Sequence, residues 1–426
     1  MKPDLPNPKL SDWLAYLESL NPRSIALGLE RVAQVKETLR LQPGFPIITV
    51  GGTNGKGSTC AFLESILATA GYRVGCYTSP HLLQYNERVR INRLPVGDAD
   101  FLRAFGKIEE ARNGIPLTYF EYGTLAAMLL FVEAKLDVAI LEVGLGGRLD
   151  AVNAFDADCA VVTGVDFDHM DYLGNTLEQI AFEKSGIFRA DRPAICAEPR
   201  PPATLIQHAR NIGARLISIN RDFGYLAEKN QWQYWGCHGK RYALPYPALR
   251  GAYQLQNASA ALAVLDELKQ QFPVGMEEIR RGLLETDLLA RFQVLPGRPA
   301  VILDVAHNPQ AAAGLSENLS NMGFYRHTYA VFGMLKDKDI AGVAQRLAPQ
   351  IDRWFLATIH ERRGATADDL AQELRRAGVP QNAVQTFDHP GAAYGQACNL
   401  AAENDRILVF GSFHTVAGVM RRRSGE

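Results

Sequence analysis

Residues Pro46–Ser58 read PIITVGGTNGKGS, and this stretch decides the fold of the N-terminal part of the chain. Its β-branched start predicts a strand, its glycines predict a tight loop, and Ser58–Ala70 predicts a helix that ends at Gly71. A strand, a glycine loop and a helix N-terminus form an anion site, because backbone N–H groups and the helix dipole favour negative charge. We expect the phosphates of ATP here, with Lys56 on the outer phosphates and Ser58 on Mg²⁺.

The loop departs from the common phosphate-loop pattern G-x-x-x-x-G-K-[ST]. Val50 occupies the position of the first glycine, and Gly57 separates Lys56 from Ser58. The alternative interpretation is a glycine turn without a ligand, which the position directly after an apolar strand disfavours. The departure therefore indicates a subset of phosphate-loop enzymes.

Short apolar runs alternate with helical patterns along most of the chain, which predicts an α/β fold with a parallel sheet built from βαβ units. The runs Asp137–Val143 and Cys159–Thr163 predict buried strands, and Thr124–Ala134 and Ala252–Gln270 predict helices. The aromatic-rich stretch Phe223–Arg250 predicts a small antiparallel ribbon, with a long aromatic loop as the alternative.

A break at Pro296, Gly297 and Pro299 predicts a domain boundary. We expect an ATP-binding domain over residues 1–290, a linker over 291–299 and a Rossmann-like α/β domain over 300–426. The second domain has these predicted strands: Ala300–Val305, Thr328–Phe332, Arg353–Thr358, Ala383–Phe387 and Arg406–Phe410.

Composition limits the class of protein. The 426 residues carry a formal net charge of −1, so the composition gives no excess of positive charge of the kind that binds nucleic acid. The N-terminus lacks the apolar core of a secretory signal, and no apolar run reaches the ~18 residues of a membrane span. Isolated cysteines without a CxxC pair disfavour structural zinc and disulfides and indicate a reducing, cytoplasmic environment; they are Cys60, Cys76, Cys159, Cys196, Cys237 and Cys398.

Polar residues follow two of the predicted strands. Glu142 ends the run Asp137–Val143, at the strand end where α/β sheets bind ligands, and Arg148 after it would clamp a phosphate or carboxylate. The alternative is a surface turn with a structural salt bridge. His169 follows Cys159–Thr163 in a loop rich in carboxylates, where a metal or phosphate role and a purely structural role are equally open.

Three further polar residues are interpreted from their positions in the sequence. Lys184, taken by itself, predicts a lysine on a helix surface. Asp304 and His307 follow the first strand of the second domain, where either would hold a ribose hydroxyl or a phosphate oxygen. The same turn also predicts a helix that starts near Pro309 with Asn308 as its N-cap, and both interpretations of this turn are compatible.

Several motifs in one order resemble the folylpolyglutamate synthase/dihydrofolate synthase family of the Mur ligase superfamily. They extend from about Ile48 to about Pro309, and they read ITVGGTNGKGST, YTSPHL, NERVRIN, LTYFEYGTLAA, LEVGLGGRLDAVN, DHMDYLG, FEKSGI, QLQNASAAL, ARFQVL and LDVAHNP. The segment LTYFEYGT also resembles the folate-type members of this superfamily.

The resemblance implies roles for individual residues. It implies two Mg²⁺ sites made by Ser58, Ser79, Glu142, His169 and a carbamylated Lys184, with Lys56, Arg148, His169 and Lys184 serving catalysis. The implied ATP contacts are Thr53, Asn54, Gly55, Lys56, Gly57, Ser58, Thr59, Asn257, Arg291, Asp304 and His307. The implied pterin or folate contacts are Gly28, Leu29, Glu30, Thr118, Tyr119, Phe120, Glu121, Leu149, Asp150 and Ala151.

The resemblance also implies an ATP-dependent amide ligase, in which a carboxylate becomes an acyl phosphate and is attacked by L-glutamate. The acceptors would be dihydropteroate and the γ-carboxylate of folates, in a cytoplasmic monomer that needs Mg²⁺, while a need for K⁺ stays open. Three alternatives stay open: folylpolyglutamate synthase activity alone, another Mur-type amino-acid ligase, and a nucleotide-dependent switch. A cell-wall ligase would carry an additional N-terminal domain, and here the phosphate loop begins at Gly51.

Overall fold

The computed structural model describes residues 8–21 and 26–425, in two compact units. The first unit comprises Met1–Ala248 with Leu255–Thr286, and the second comprises Leu249–Gln254 with Asp287–Glu426. Residues 1–7, on which part of the expectation about a secretory signal rests, lie outside the described residues. None of the described helices is long and apolar enough to cross a membrane.

The first unit is built on a sheet with the strand order β4-β3-β2-β5-β1-β6-β7-β8. The strands β2, β5, β1, β6, β7 and β8 run parallel, whereas β3 and β4 add an antiparallel hairpin at one edge. Their bounds are β1 Ile47–Gly51, β2 Val74–Tyr77, β3 Val89–Ile91, β4 Leu94–Pro95, β5 Val138–Glu142, β6 Cys159–Val162, β7 Pro193–Cys196 and β8 Arg215–Ser218.

Helices cover this sheet, and the central strands are buried on both faces, as their continuous apolar runs require. The helices are α1 Leu10–Leu20, α2 Glu30–Thr38, α3 Lys56–Thr69, α4 Asp98–Arg112, α5 Tyr119–Glu133, α6 Met170–Leu173, α7 Leu177–Ser185, α8 Ala203–Ile212, α9 Gln254–Glu267 and α10 Met276–Glu285. Short 3₁₀ turns span Tyr85–Arg88 and Ala151–Ala154.

The predicted antiparallel ribbon is confirmed as β9 Gly224–Ala227, β10 Trp232–Gly236 and β11 Gly239–Leu244, in the order β11-β10-β9. The predicted helix Thr124–Ala134 starts too late, because α5 begins at Tyr119. Thr118 caps that helix and Glu121 completes a capping box, a signal independent of the apolar run.

The second unit has a sheet of order β12-β13-β17-β14-β15-β16, in which only β12 is antiparallel to its neighbour among the described strands. Its strands are β12 Gln293–Leu295, β13 Ala300–Leu303, β14 Thr328–Phe332, β15 Arg353–Ala357, β16 Val384–Phe387 and β17 Arg406–Phe410. Its helices are α11 Pro309–Ser320, α12 Ile340–Leu347, α13 Ala367–Arg376, α14 Pro390–Leu400 and α15 Phe413–Ser424, and it has 3₁₀ turns at Ala348–Gln350 and Gln381–Ala383. The predicted α/β fold class is confirmed, and β12 falls within the segment 291–299 that the sequence predicts as a linker.

Candidate active site

The candidate residues of the first unit meet at the carboxyl edge of its sheet. Four neighbouring strands, in the order β2, β5, β1 and β6, end here. Strand β2 ends just before Ser79, and β5 ends at Glu142. Strand β1 runs into the phosphate loop (residues 51–58), and β6 runs into the loop that carries His169. Val50 pairs with Glu142, and Gly51 pairs with Val162, so these three strand ends are in register. The topology therefore brings together residues that lie far apart in sequence, at the edge where α/β sheets bind ligands.

The phosphate loop is held in place by its neighbours. The N–H of Thr53 donates to the carbonyl of Gly164 over 2.9 Å, and the hydroxyl of Thr163 donates to the carbonyl of Asn54 over 2.6 Å. Lys56 Nζ donates to the carbonyls of Gly52 and Thr53 over 3.1 and 3.2 Å, so its ammonium group lies over the loop. Helix α3 begins at Lys56, which directs the helix N-terminus at the same space.

More of the predicted ATP contacts lie in or beside the loop. Gly55 has φ +89°, and a Cβ there would be 2.4 Å from Oδ1 of Asn257 on α9. Ser58 and Thr59 are buried in the first turn of α3. The structure thus places Asn257, which is distant in sequence, against the phosphate loop.

Ser79 and Glu142 contact each other directly. The backbone N–H of Ser79 donates to Oε2 of Glu142 over 3.0 Å. Glu142 is 5% exposed, so its carboxyl group is buried at the end of β5. This pair joins the ends of two neighbouring strands beside the phosphate loop.

His169 lies in the loop after β6 and adopts φ +51° at the N-terminus of α6. Its backbone N–H donates to Oδ1 of Asp168 over 2.9 Å, and its Nε2 lies 3.9 Å from Oδ2 of the same residue. A positive φ is uncommon outside glycine, and such strain concentrates at functional sites.

Lys184 is buried, with 3% of its surface exposed, so the interpretation as a lysine on a helix surface is wrong. Burial lowers the pKa of Lys184 to about 7, the positive charge of Lys56 contributes to the lowering, and Asp168 opposes both. A substantial fraction of this amine is therefore neutral, and nucleophilic, near neutral pH.

The position of Lys184 is set by close backbone packing. A Cβ on Gly147 would lie 2.9 Å from the carbonyl of Glu183 and 3.0 Å from that of Lys184. The backbone N–H of Arg148 donates to the carbonyl of Glu183 over 2.8 Å. The Arg148 guanidinium pairs with Oε1 of Glu183 at 2.8 Å. The structural salt bridge that the sequence analysis gave as an alternative role for this region is therefore present.

The residues predicted to border the folate pocket form three adjoining segments: the first is Gly28–Glu30, the second is Thr118–Glu121 and the third is Leu149–Ala151. The N–H of Gly28 donates to the carbonyl of Leu149 over 3.3 Å, which joins the first segment to the third. Arg31, which directly follows the first segment, connects it to the second segment. Its Nη2 lies 2.8 Å from Oε1 of Glu121 and 2.6 Å from the carbonyl oxygen of Ala26, just before the first segment.

Asp150 is a buried carboxyl in this region. Burial raises its pKa to about 7, while the backbone N–H groups of Leu145, Val152 and Gly144 and the charge of Lys56 lower it. Ala151 is buried next to it, whereas Leu29 and Tyr119 are half-buried and Glu30 is exposed. Tyr119 packs edge-on against Tyr85. The ring of Phe120 covers Gly144, where a Cβ would lie 2.7 Å from the ring.

Within the second unit, Asp304 accepts hydrogen bonds from the N–H groups of Phe292 and Ala306 over 2.8 and 2.7 Å. Burial raises the pKa of Asp304, and the N–H of Ala306 and the charge of Arg291 oppose this shift. His307 Nδ1 lies 2.8 Å from the carbonyl of Val305, and Asn308 caps α11 as predicted. The Arg291 guanidinium lies 5.2 Å from the centroid of the Phe413 ring.

The oxygen donors at this sheet edge suit an Mg²⁺ ion that is also bound by substrate phosphates. Among the described residues no three His, Cys, Asp or Glu side chains form a cluster that could hold a metal on its own. The groups at this sheet edge include the hydroxyls of Ser58 and Ser79 and the buried carboxylate of Glu142. Mg²⁺ is commonly coordinated by one or two carboxylates together with substrate phosphates, and this set of oxygen ligands matches that preference.

Sequence reasoning missed two residues that the structure connects to the site. Arg31 spans two segments of the predicted folate pocket, and Asp168 acts on the charge of Lys184. Asp168 stands next to His169 in a loop already recognised as rich in carboxylates. Arg31 has no such local signal, because its partner Glu121 is 90 positions away.

Two family models match separate parts of the chain. The model described as "Mur ligase middle domain" matches residues 50–265. The model described as "Mur ligase, glutamate ligase domain" matches residues 290–413. Together they include the phosphate loop of the first unit and most of the second unit.

The chain is also similar to named proteins along nearly its whole length. The dihydrofolate synthase/folylpolyglutamate synthase of Escherichia coli (strain K12) is 45% identical, with 98% of this chain and 97% of that protein covered. The structure of E. coli FolC in complex with DHPP and ADP matches with a TM-score of 0.92 at 44% identity, covering 98% of both chains. A bifunctional folylpolyglutamate synthase/dihydrofolate synthase with Mn, AMPPNP and L-glutamate bound matches with a TM-score of 0.91 at 44% identity, covering 100% of both chains.

Proposed function

The chain belongs to the Mur ligase family, and from that premise we propose that it is a bifunctional dihydrofolate synthase/folylpolyglutamate synthase. It joins L-glutamate to 7,8-dihydropteroate, which forms dihydrofolate, and to the γ-carboxylate of folates, with ATP as a co-substrate. The observation that carries this proposal is the meeting of the phosphate loop, Ser79, Glu142 and His169 at one sheet edge, in a chain 45% identical to such an enzyme.

A carboxylate is a poor acyl donor, because oxide is a poor leaving group. In the proposed reaction the acceptor carboxylate attacks the γ-phosphorus of ATP, the bond to ADP breaks, and an acyl phosphate forms. The α-amine of glutamate then attacks the carbonyl carbon, loses a proton, and phosphate departs as the amide forms. Lys56 leaves the loop carbonyls to neutralise charge on the transferring phosphoryl group.

Mg²⁺ at two sites would supply charge neutralisation for the phosphates. Ser58, Ser79, Glu142, His169 and Lys184 would hold it, with Lys184 as a carbamate. A neutral amine can attack CO₂ to form N–COO⁻ with release of one proton, and the low pKa of Lys184 favours that neutral amine. K⁺ would serve as an additional cation.

The remaining residues take the roles that the family suggests. The nucleotide would be contacted by residues 53–59, Asn257, Arg291, Asp304 and His307. Arg148 would stabilise negative charge near the reacting carboxylate. The segments Gly28–Glu30, Thr118–Glu121 and Leu149–Ala151 would border the folate. We also propose that the protein is a cytoplasmic monomer, with residues 300–426 as its glutamate ligase domain.

Isotope transfer tests the acyl-phosphate step. Dihydropteroate labelled with ¹⁸O in its carboxylate is incubated with enzyme, ATP, Mg²⁺ and L-glutamate, and the released phosphate is analysed by mass spectrometry. One ¹⁸O in each phosphate supports the mechanism, because the carboxylate oxygen leaves with the phosphoryl group. Unlabelled phosphate formed together with dihydrofolate would contradict it.

A further inference from the structure

A buried ion pair joins helix α3, which begins at the phosphate loop, to strand β3 of the edge hairpin. Nη2 of Arg90 lies 2.7 Å from Oε2 of Glu64, and Nε lies 3.1 and 3.0 Å from the two carboxylate oxygens. The side chains are 16% and 6% exposed, so the pair is largely removed from water. None of the roles proposed above involves Arg90 or Glu64.

The guanidinium makes contacts beyond Glu64. Nη1 donates to the hydroxyl of Thr78 over 3.2 Å and to the carbonyl of Glu87 over 3.1 Å, and Nη2 also donates to Sγ of Cys76 over 3.4 Å. An arginine presents five N–H donors in a planar fork, whereas a lysine presents three from one atom. Lysine at this position would keep the charge but would not reach all of these acceptors.

Thr78 directly precedes Ser79, whose N–H donates to Glu142. We infer that Arg90 is a positioning residue, which fixes the Thr78–Ser79 segment against helix α3 and so sets Ser79 in place for the metal–nucleotide complex. The inference rests on the proposed metal role of Ser79. It adds a specific requirement, namely that the Arg90–Thr78 contact controls metal affinity.

Three variants and one control separate this role from a purely structural one. Thr78→Val keeps the ion pair and removes one acceptor, Arg90→Lys keeps the charge and removes the fork, and Ser79→Ala tests the underlying metal role. Arg112→Lys is the matched control, because Arg112 makes a similar part-buried pair with Glu109 at 2.7 Å within α4. Mn²⁺ affinity is measured by electron paramagnetic resonance with saturating AMPPNP, and thermal unfolding is measured in parallel.

We expect Thr78→Val and Arg90→Lys to weaken Mn²⁺ binding about three- to tenfold, the effect of losing about 1 kcal/mol, while Arg112→Lys leaves it unchanged. Wild-type Mn²⁺ affinity in Thr78→Val, together with weakened affinity in Ser79→Ala, would overturn the inference and leave the proposed function standing. Wild-type affinity in Ser79→Ala would instead refute the metal role of Ser79. If Arg90→Lys does not fold, Thr78→Val carries the test.

Discussion

The backbone N–H of Ser79 donates to Oε2 of Glu142 over 3.0 Å, so two predicted metal ligands are joined before any metal binds. Glu142→Gln retains an oxygen acceptor for this hydrogen bond but removes the negative charge. We expect kcat to fall by about 100-fold or more, because charge stabilisation in the site is lost. ADP release at saturating substrates measures kcat, and Glu133→Gln, which removes an ion pair with the exposed Lys107, is the control. Near-normal turnover in Glu142→Gln would exclude a metal role.

Lys56 donates to two carbonyls of its own loop, and we expect the loss of these short-range contacts to cost little stability. Lys56→Met should therefore abolish amide formation while the thermal unfolding midpoint stays close to that of the wild type. Lys107→Met, a change at an exposed lysine, should alter neither quantity. Amide formation that survives in Lys56→Met would show that this loop does not act on the transferred phosphate.

The buried Lys184 is predicted to act as a carbamate. Lys184→Ala should lose activity, and short carboxylic acids such as acetate should restore part of it by supplying the missing carboxylate. Lys184→Arg should show no such rescue, because the guanidinium occupies the space. Turnover is measured with and without added acetate; full activity in Lys184→Ala would refute the role.

The lowered pKa of Lys184 also affects stability. Its pKa is about 7 in the native protein, against about 10.4 in the unfolded chain, so between these values the unfolded state binds more protons. The free energy of unfolding should therefore rise with pH through this window. In buffers free of CO₂, Lys184→Met should gain most over the wild type near about pH 6.5 and least near about pH 10, as measured by urea unfolding. A difference between the two proteins that does not change with pH would contradict this linkage.

Arg31 is predicted to shape the folate pocket through Glu121 and Ala26. Arg31→Met should raise KM for dihydropteroate about tenfold with a smaller change in kcat, because binding is lost more than transition-state stabilisation. Arg103→Met, on an exposed salt bridge, is the control. An unchanged KM in Arg31→Met would show that this contact does not govern the pocket.

Local patterns predicted the longer strands, the glycine loop between β1 and α3, and the Asn308 cap well, because their signals are short-range. The β3–β4 hairpin escaped prediction, since Val89–Ile91 is a short strand and its pairing is set by β2. The burial of Lys184 was also not predicted from the sequence, because it depends on Gly147, which packs against α7 from the loop after β5. Arg90 and Arg31 pair with Glu64 and Glu121, which lie 26 and 90 positions away, so no local spacing reveals these pairs.

Glutamate-dependent ADP formation tests the central claim most directly. The enzyme is incubated with ATP and Mg²⁺, and with dihydropteroate or tetrahydrofolate in parallel, with and without L-glutamate. We predict ADP release that requires glutamate and equals the amide product formed from each acceptor. Slow ADP release that is the same without glutamate would contradict a ligase and would indicate a nucleotide-dependent switch.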